Sequence, residues 1–100
     1  MPAFYFYLIA GLLWPGLTLY ADDIPVTQIQ TWIQQGKLTP LETLRALHPQ
    51  TLAGYLLDAE LEYKDGHLVY ELEILGTDSI VREFYLDAKD GTVLHQEIED

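Results

Sequence analysis

The chain has 100 residues, of which 5 are basic and 16 acidic, for a net charge of −11, and it contains no cysteine. That length holds one domain at most. The charge excludes non-specific nucleic-acid binding, which needs Lys and Arg against phosphate, and argues against docking on anionic lipid through a basic patch.

The first 21 residues carry no charged side chain, and all the charge follows Ala21. Phe4 to Trp14 is an unbroken small-and-apolar run of 11 residues, followed by Pro15-Gly16. This pattern predicts a signal peptide over 1–21, cleaved before Asp22, with a domain over 22–100. No Lys or Arg precedes the apolar run. An uncleaved membrane anchor is the alternative, since 2–21 is just long enough to span. On the first reading the protein is periplasmic or secreted, and only the second ties it to a membrane. Without disulfides, so small a domain must draw its stability from its core or from a partner.

Residues 24–36 read as a first helix, with Ile29, Trp32 and Ile33 on one apolar face and Gly36 as its stop. A second helix starts at Thr39-Pro40-Leu41-Glu42, where Thr39 and Glu42 have capping-box spacing and Pro40 suits the first helical position. Leu41, Leu44 and Leu47 form its expected stripe, and His48-Pro49 ends it.

After Gly54 the period changes from 3.6 to 2. Tyr55, Leu57, Ala59, Leu61 and Tyr63 alternate with Leu56, Asp58, Glu60, Glu62 and Lys64, then Asp65-Gly66 gives the strongest short hairpin signal. Leu68, Tyr70, Leu72 and Ile74 continue the alternation. A turn over 76–79 leads to a third strand with Phe84 and Leu86 inward. Asp87-Ala88-Lys89-Asp90-Gly91 leads to a short fourth strand over 92–98. Helices followed by a meander predict an α+β fold: two short N-terminal helices on one face of an antiparallel sheet of three to four strands.

Two segments resemble the PepSY domain family. Lys64-Asp65-Gly66-His67-Leu68-Val69-Tyr70-Glu71-Leu72-Glu73-Ile74 is similar to its D-G-x-x-v-Y-E core, and Phe84-Tyr85-Leu86-Asp87-Ala88-Lys89-Asp90-Gly91-Thr92-Val93-Leu94 to its D-A-x-x-G ending. Gly36-Lys37-Leu38-Thr39-Pro40-Leu41-Glu42 resembles a subgroup of small periplasmic members. The link 48–54 is longer than is usual there. The resemblance covers about 25–98 and implies a bacterial, exported, non-catalytic interaction module that restrains a peptidase or acts on another envelope protein. It brings no catalytic residue and no cofactor. Asp65, Gly66, Asp87 and Gly91 are turn formers in that pattern.

With Asp65-Gly66 as a two-residue loop, Lys64 pairs with His67, Glu62 with Val69, Glu60 with Glu71 and Asp58 with Glu73. Like charges directly opposite one another are unfavourable. The outer face carrying Asp58, Glu60, Glu62, Glu71 and Glu73, with Val69, Val81 and Tyr85, is therefore a candidate surface for a basic protein partner. A solvated, screened face is the plainer account. Ligand or cation sensing on the same face, or a structural subunit of an envelope complex, are the competing functions.

No metal centre is expected. His48, His67 and His95 fall on separate elements, and 87–91 is too short for a calcium loop. Ser79 lacks a glycine elbow, and the paired carboxylates lack a pocket, so no enzyme is expected. Trp32 reads as core.

Overall fold

The computed structural model describes residues 24–99, and the expected signal segment over 1–21 lies outside them. Two short helices, α1 (Val26–Gln34) and α2 (Leu41–Arg45), precede four strands: β1 (Tyr55–Lys64), β2 (His67–Leu75), β3 (Val81–Asp87) and β4 (Val93–Ile98). The strands form one antiparallel sheet in the order β1-β2-β3-β4, a mixed α+β arrangement.

Alternation decides which side chains turn inward. Ala59, Leu61, Tyr70, Leu72, Ile74, Phe84 and Leu86 share one sheet face and are buried in one cluster with Ile29, Leu38, Leu41, Leu44 and Leu52. Burying a leucine of this kind is worth about 1.5–3 kcal/mol. Tyr70 is fully buried, and its hydroxyl donates to Thr39 O at 2.7 Å. Burial drives that phenol far above its usual pKa, so it stays a donor.

Gly36 ends α1 at φ +74°, and the Lys37 amide donates to Trp32 O at 2.8 Å. The start of α2 differs from the expected capping box. Pro40 holds the N-cap position and makes no side-chain cap bond. Thr39, one residue earlier, is used elsewhere: its hydroxyl donates to Lys89 O at 2.6 Å and its amide to Ala88 O at 2.8 Å. Glu42 lies 3.6 Å from Arg45 instead. The cap residue has become a stitch to the β3–β4 turn.

Leu47 also departs from expectation and is 60% exposed. The helix closes at Arg45, so Leu47 no longer falls on the helical stripe. The link to β1 is pinned by Arg45, whose guanidinium donates to Leu52 O and Gly54 O. His48 Nε2 lies 2.7 Å from Gly91 O, which fastens the same link to the far turn.

The start of β1 is a further correction. The register shifts between Leu56 and Asp58. That bulge puts Leu57 out of the alternation and turns Leu56 toward the core. Tyr55 and Leu57, both expected inward, are 76% and 49% exposed.

Candidate functional site

The outer sheet face is built by three turns. Asp65 and Gly66 both have positive φ, +50° and +79°, the pair of values a twisted two-residue hairpin needs. Lys64↔His67, Glu62↔Val69, Glu60↔Glu71 and Asp58↔Glu73 are then opposite. Between β2 and β3, Ser79 N donates to Gly76 O, and Arg82 closes on Asp78 at 2.8 Å. Between β3 and β4, the Asp87 carboxylate accepts from Lys89 N at 2.8 Å and Gly91 N donates to Asp87 O.

These registers align carboxylates across the whole sheet. One row runs Asp58–Glu73–Glu83–Glu97 over all four strands, and the next runs Glu60–Glu71–Tyr85–His95. Asp58, Glu60, Glu62, Glu71, Glu73 and Glu83 are all half-buried. Glu71 is pushed up to about 8, first by its hydrogen bond with the Glu62 carboxyl, then by burial and Glu83. Glu73 is pushed up to about 7, first by its hydrogen bond with Glu99, then by burial, with Asp58 and Glu83 adding repulsion. Glu83, Glu97 and Glu99 were not singled out in the sequence. Alternation outward from Phe84 points to Glu83, but its alignment with Glu73 depends on the 76–80 turn, whose geometry has no short signature.

At the other end of this face the chemistry changes sign. Lys64 Nζ stands 4.3 Å above the Tyr85 ring and 3.5 Å from Glu62 Oε1. Tyr85 is tilted against His95, with ring centroids 5.2 Å apart. Val69 corrects an expectation: it lies on the outer face but is only 4% exposed. It sits on β2, between β1, which carries Lys64, and β3, which carries Tyr85, and the contact between those two side chains passes over it. Of the expected partner-binding residues, it is the one that is buried.

Donor atoms of Glu60, Glu62 and Glu71 come within 4.8 Å of one another, as do those of Glu83, His95 and Glu97. His95 thus joins two carboxylates rather than the other histidines. Exposed acidic groups commonly cluster in this way. At the helix-side edge, a groove of about 670 Å³ runs between α1 and β1, walled by Trp32, whose ring lies 6.2 Å from that of Tyr63 and near-parallel to it. Trp32 is half-buried and only partly core.

Residues 42–97 match the family described as PepSY, "Peptidase propeptide and YPEB domain". The chain belongs to the PepSY family. The match covers both hairpin motifs and all four strands but for the last residue of β4. PepSY domains are in general non-catalytic regulatory modules, and no catalytic family is indicated. A Bacillus subtilis (strain 168) protein, "Uncharacterized protein YkoJ", is 38% identical over 47 residues, which is 47% of this chain and 28% of that protein. No solved structure matches. No helix among the described residues is long and apolar enough to cross a membrane.

Proposed function

We propose that this chain is an exported PepSY interaction module that modulates or inhibits a peptidase, or another envelope protein, through its acidic outer face. On this reading its two short helices over the inner sheet face are the PepSY arrangement, and the segment 1–21 directs export. The observation that carries the proposal is the four-strand carboxylate row Asp58–Glu73–Glu83–Glu97. Aligned like charges oppose folding, and their presence on every strand supports a role in binding. Asp58, Glu60, Glu62, Glu71, Glu73 and Tyr85 form the contact surface, with a basic patch as its complement.

The test is inhibition of a secreted metallopeptidase by residues 22–100 at low and high salt. Salt-sensitive inhibition supports the reading, and unchanged peptidase activity at every concentration refutes the peptidase branch. A second reading, cation sensing, draws on the Glu83, His95 and Glu97 donors. A melting temperature raised by calcium, with no effect on a peptidase, would favour it.

A further inference from the structure

We propose that the outer edge of β1, over residues 58–64, is a strand-addition site for an extended peptide in which basic and apolar residues alternate. The proposal rests on the reading of this domain as a protein-binding module and names how a partner would engage it.

The first observation is topological. Among the described residues, β1 is an edge strand that pairs with β2, and at 10 residues it is the longest of the four strands. An edge strand presents unpaired N–H and C=O groups that template a further strand. Among the described residues, no backbone hydrogen bond joins β1 to a segment other than β2. The bulge at Leu56/Asp58 closes the regular edge at one end and the Asp65-Gly66 turn closes it at the other. What remains is 58–64.

The second observation is the groove. Its strand wall is the unbroken run Glu60, Leu61, Glu62, Tyr63 and Lys64. Successive side chains on a strand point to opposite faces. Five consecutive residues can line one cavity only if the cavity lies along the strand's edge. The other wall is α1, through Ile24, Pro25, Gln28 and Trp32. The space is of the size that ordinary ligand pockets have, and one side of it is a row of backbone groups.

The chemistry of the two sides sets the occupant. An added strand alternates its side chains as β1 does. On the outer side they meet Asp58 and Glu62, half-buried carboxylates in a face of strongly negative charge. On the inner side they meet Ile24, Trp32 and Tyr63. Lysine or arginine fits the first set and valine, isoleucine or an aromatic residue the second. This is strand addition in which main-chain bonds supply affinity and alternate side chains supply specificity.

The probe is a synthetic peptide alternating lysine with valine, long enough to span 58–64, titrated into the full chain with backbone amide signals followed by NMR. Two control peptides carry N-methyl groups on alternate amides, one in each phase. Only one edge of an added strand bonds to β1. One control should therefore bind at least about tenfold more weakly, having lost several hydrogen bonds, and the other nearly as well as the parent. Amides over 58–64 should shift, and the alternate ones that point away from β2 should become protected from exchange. Glu62→Lys, with its melting temperature checked, should weaken binding by about tenfold at low salt.

Equal binding of both controls would show attraction by charge alone and overturn the proposal. So would shifts confined to β4 or to Glu73 and Glu83. Protection without peptide of those amides of 58–64 that point away from β2 would give the edge to another occupant, either a second copy, if it depends on concentration, or the chain's own residues 1–23, if it does not. A partner captured undiminished by a chain that fails to bind the peptide would leave the module reading standing and remove the strand-addition site. Peptide binding without any effect on a peptidase or envelope partner would do the reverse.

Discussion

Lys64 extends across β2 and places its ammonium 4.3 Å above the ring of Tyr85. The contact joins the first and third strands over Val69, and the Tyr85 hydroxyl is the main reason the lysine is held above its usual pKa. It is the cationic end of an otherwise acidic face. A double-mutant cycle with Lys64→Met and Tyr85→Leu should show coupling of about 0.5–1 kcal/mol, typical of an exposed cation–π pair. Urea melts of the four proteins measure it, and additive effects would show that the contact contributes nothing.

The carboxylate rows predict an inverted pH dependence. Glu71 at about 8 and Glu73 at about 7 lie above the 4.5 of a free glutamate. Between those limits the folded protein holds more protons than the unfolded chain, so stability falls as pH rises. The stabilising contribution is complete below about pH 4.5 and is lost through pH 7–8. Asp78 and Asp90, both lowered, act in the opposite sense at stronger acid. The melting temperature should therefore be higher at pH 5 than at pH 8, and Glu71→Gln with Glu73→Gln should flatten that slope. A melting temperature that rises from pH 5 to pH 8 would contradict the assignment.

Two glycines separate backbone strain from steric clash. Gly66 has φ +79° and open space where a Cβ would stand. Gly66→Ala should cost about 1 kcal/mol through backbone strain. Gly54, at φ +115°, faces the Leu75 carbonyl, and an added Cβ would collide with that backbone. Gly54→Ala should cost clearly more, because neither strand can retreat without breaking the adjacent Tyr55–Leu75 pairing. Thermal melts should rank the three proteins, and equal losses would refute the distinction.

Exchange of stability for binding is the signature expected of the outer face. Above about pH 8, where Glu71 is ionised, Glu60→Gln with Glu71→Gln removes one repelling cross-strand pair and should stabilise the domain by about 0.2–1 kcal/mol. The same variant should bind its partner more weakly, with less sensitivity to salt. A variant that melts higher and binds with unchanged affinity at low salt would make the face a solvated surface only.

Export has its own readout. Cells expressing the full chain should release a protein beginning at Asp22, by N-terminal sequencing or intact mass. A full-length, membrane-bound product would establish the uncleaved anchor.

Local rules carried much of this fold. Asp65-Gly66 admits one kind of tight turn, and that turn alone sets Lys64 opposite His67 and every carboxylate pair of the first hairpin. Period-two alternation then sends Leu72, Ile74, Phe84 and Leu86 into the core. These features depend on residues a few positions apart, so they are legible along the chain. Other features depend on neighbours far away in sequence. Thr39 leaves its cap because Lys89 offers a carbonyl 50 positions on, and Val69 is buried where Lys64 and Tyr85 converge over it from two other strands. The alignment of Glu83 and Glu97 with Asp58 and Glu73 needed three strand registers at once, and the groove beside Trp32 needed a helix set against a sheet edge. Backbone geometry is specified locally by residue type, whereas burial and electrostatic environment are sums over everything nearby in space, which only the folded chain brings together.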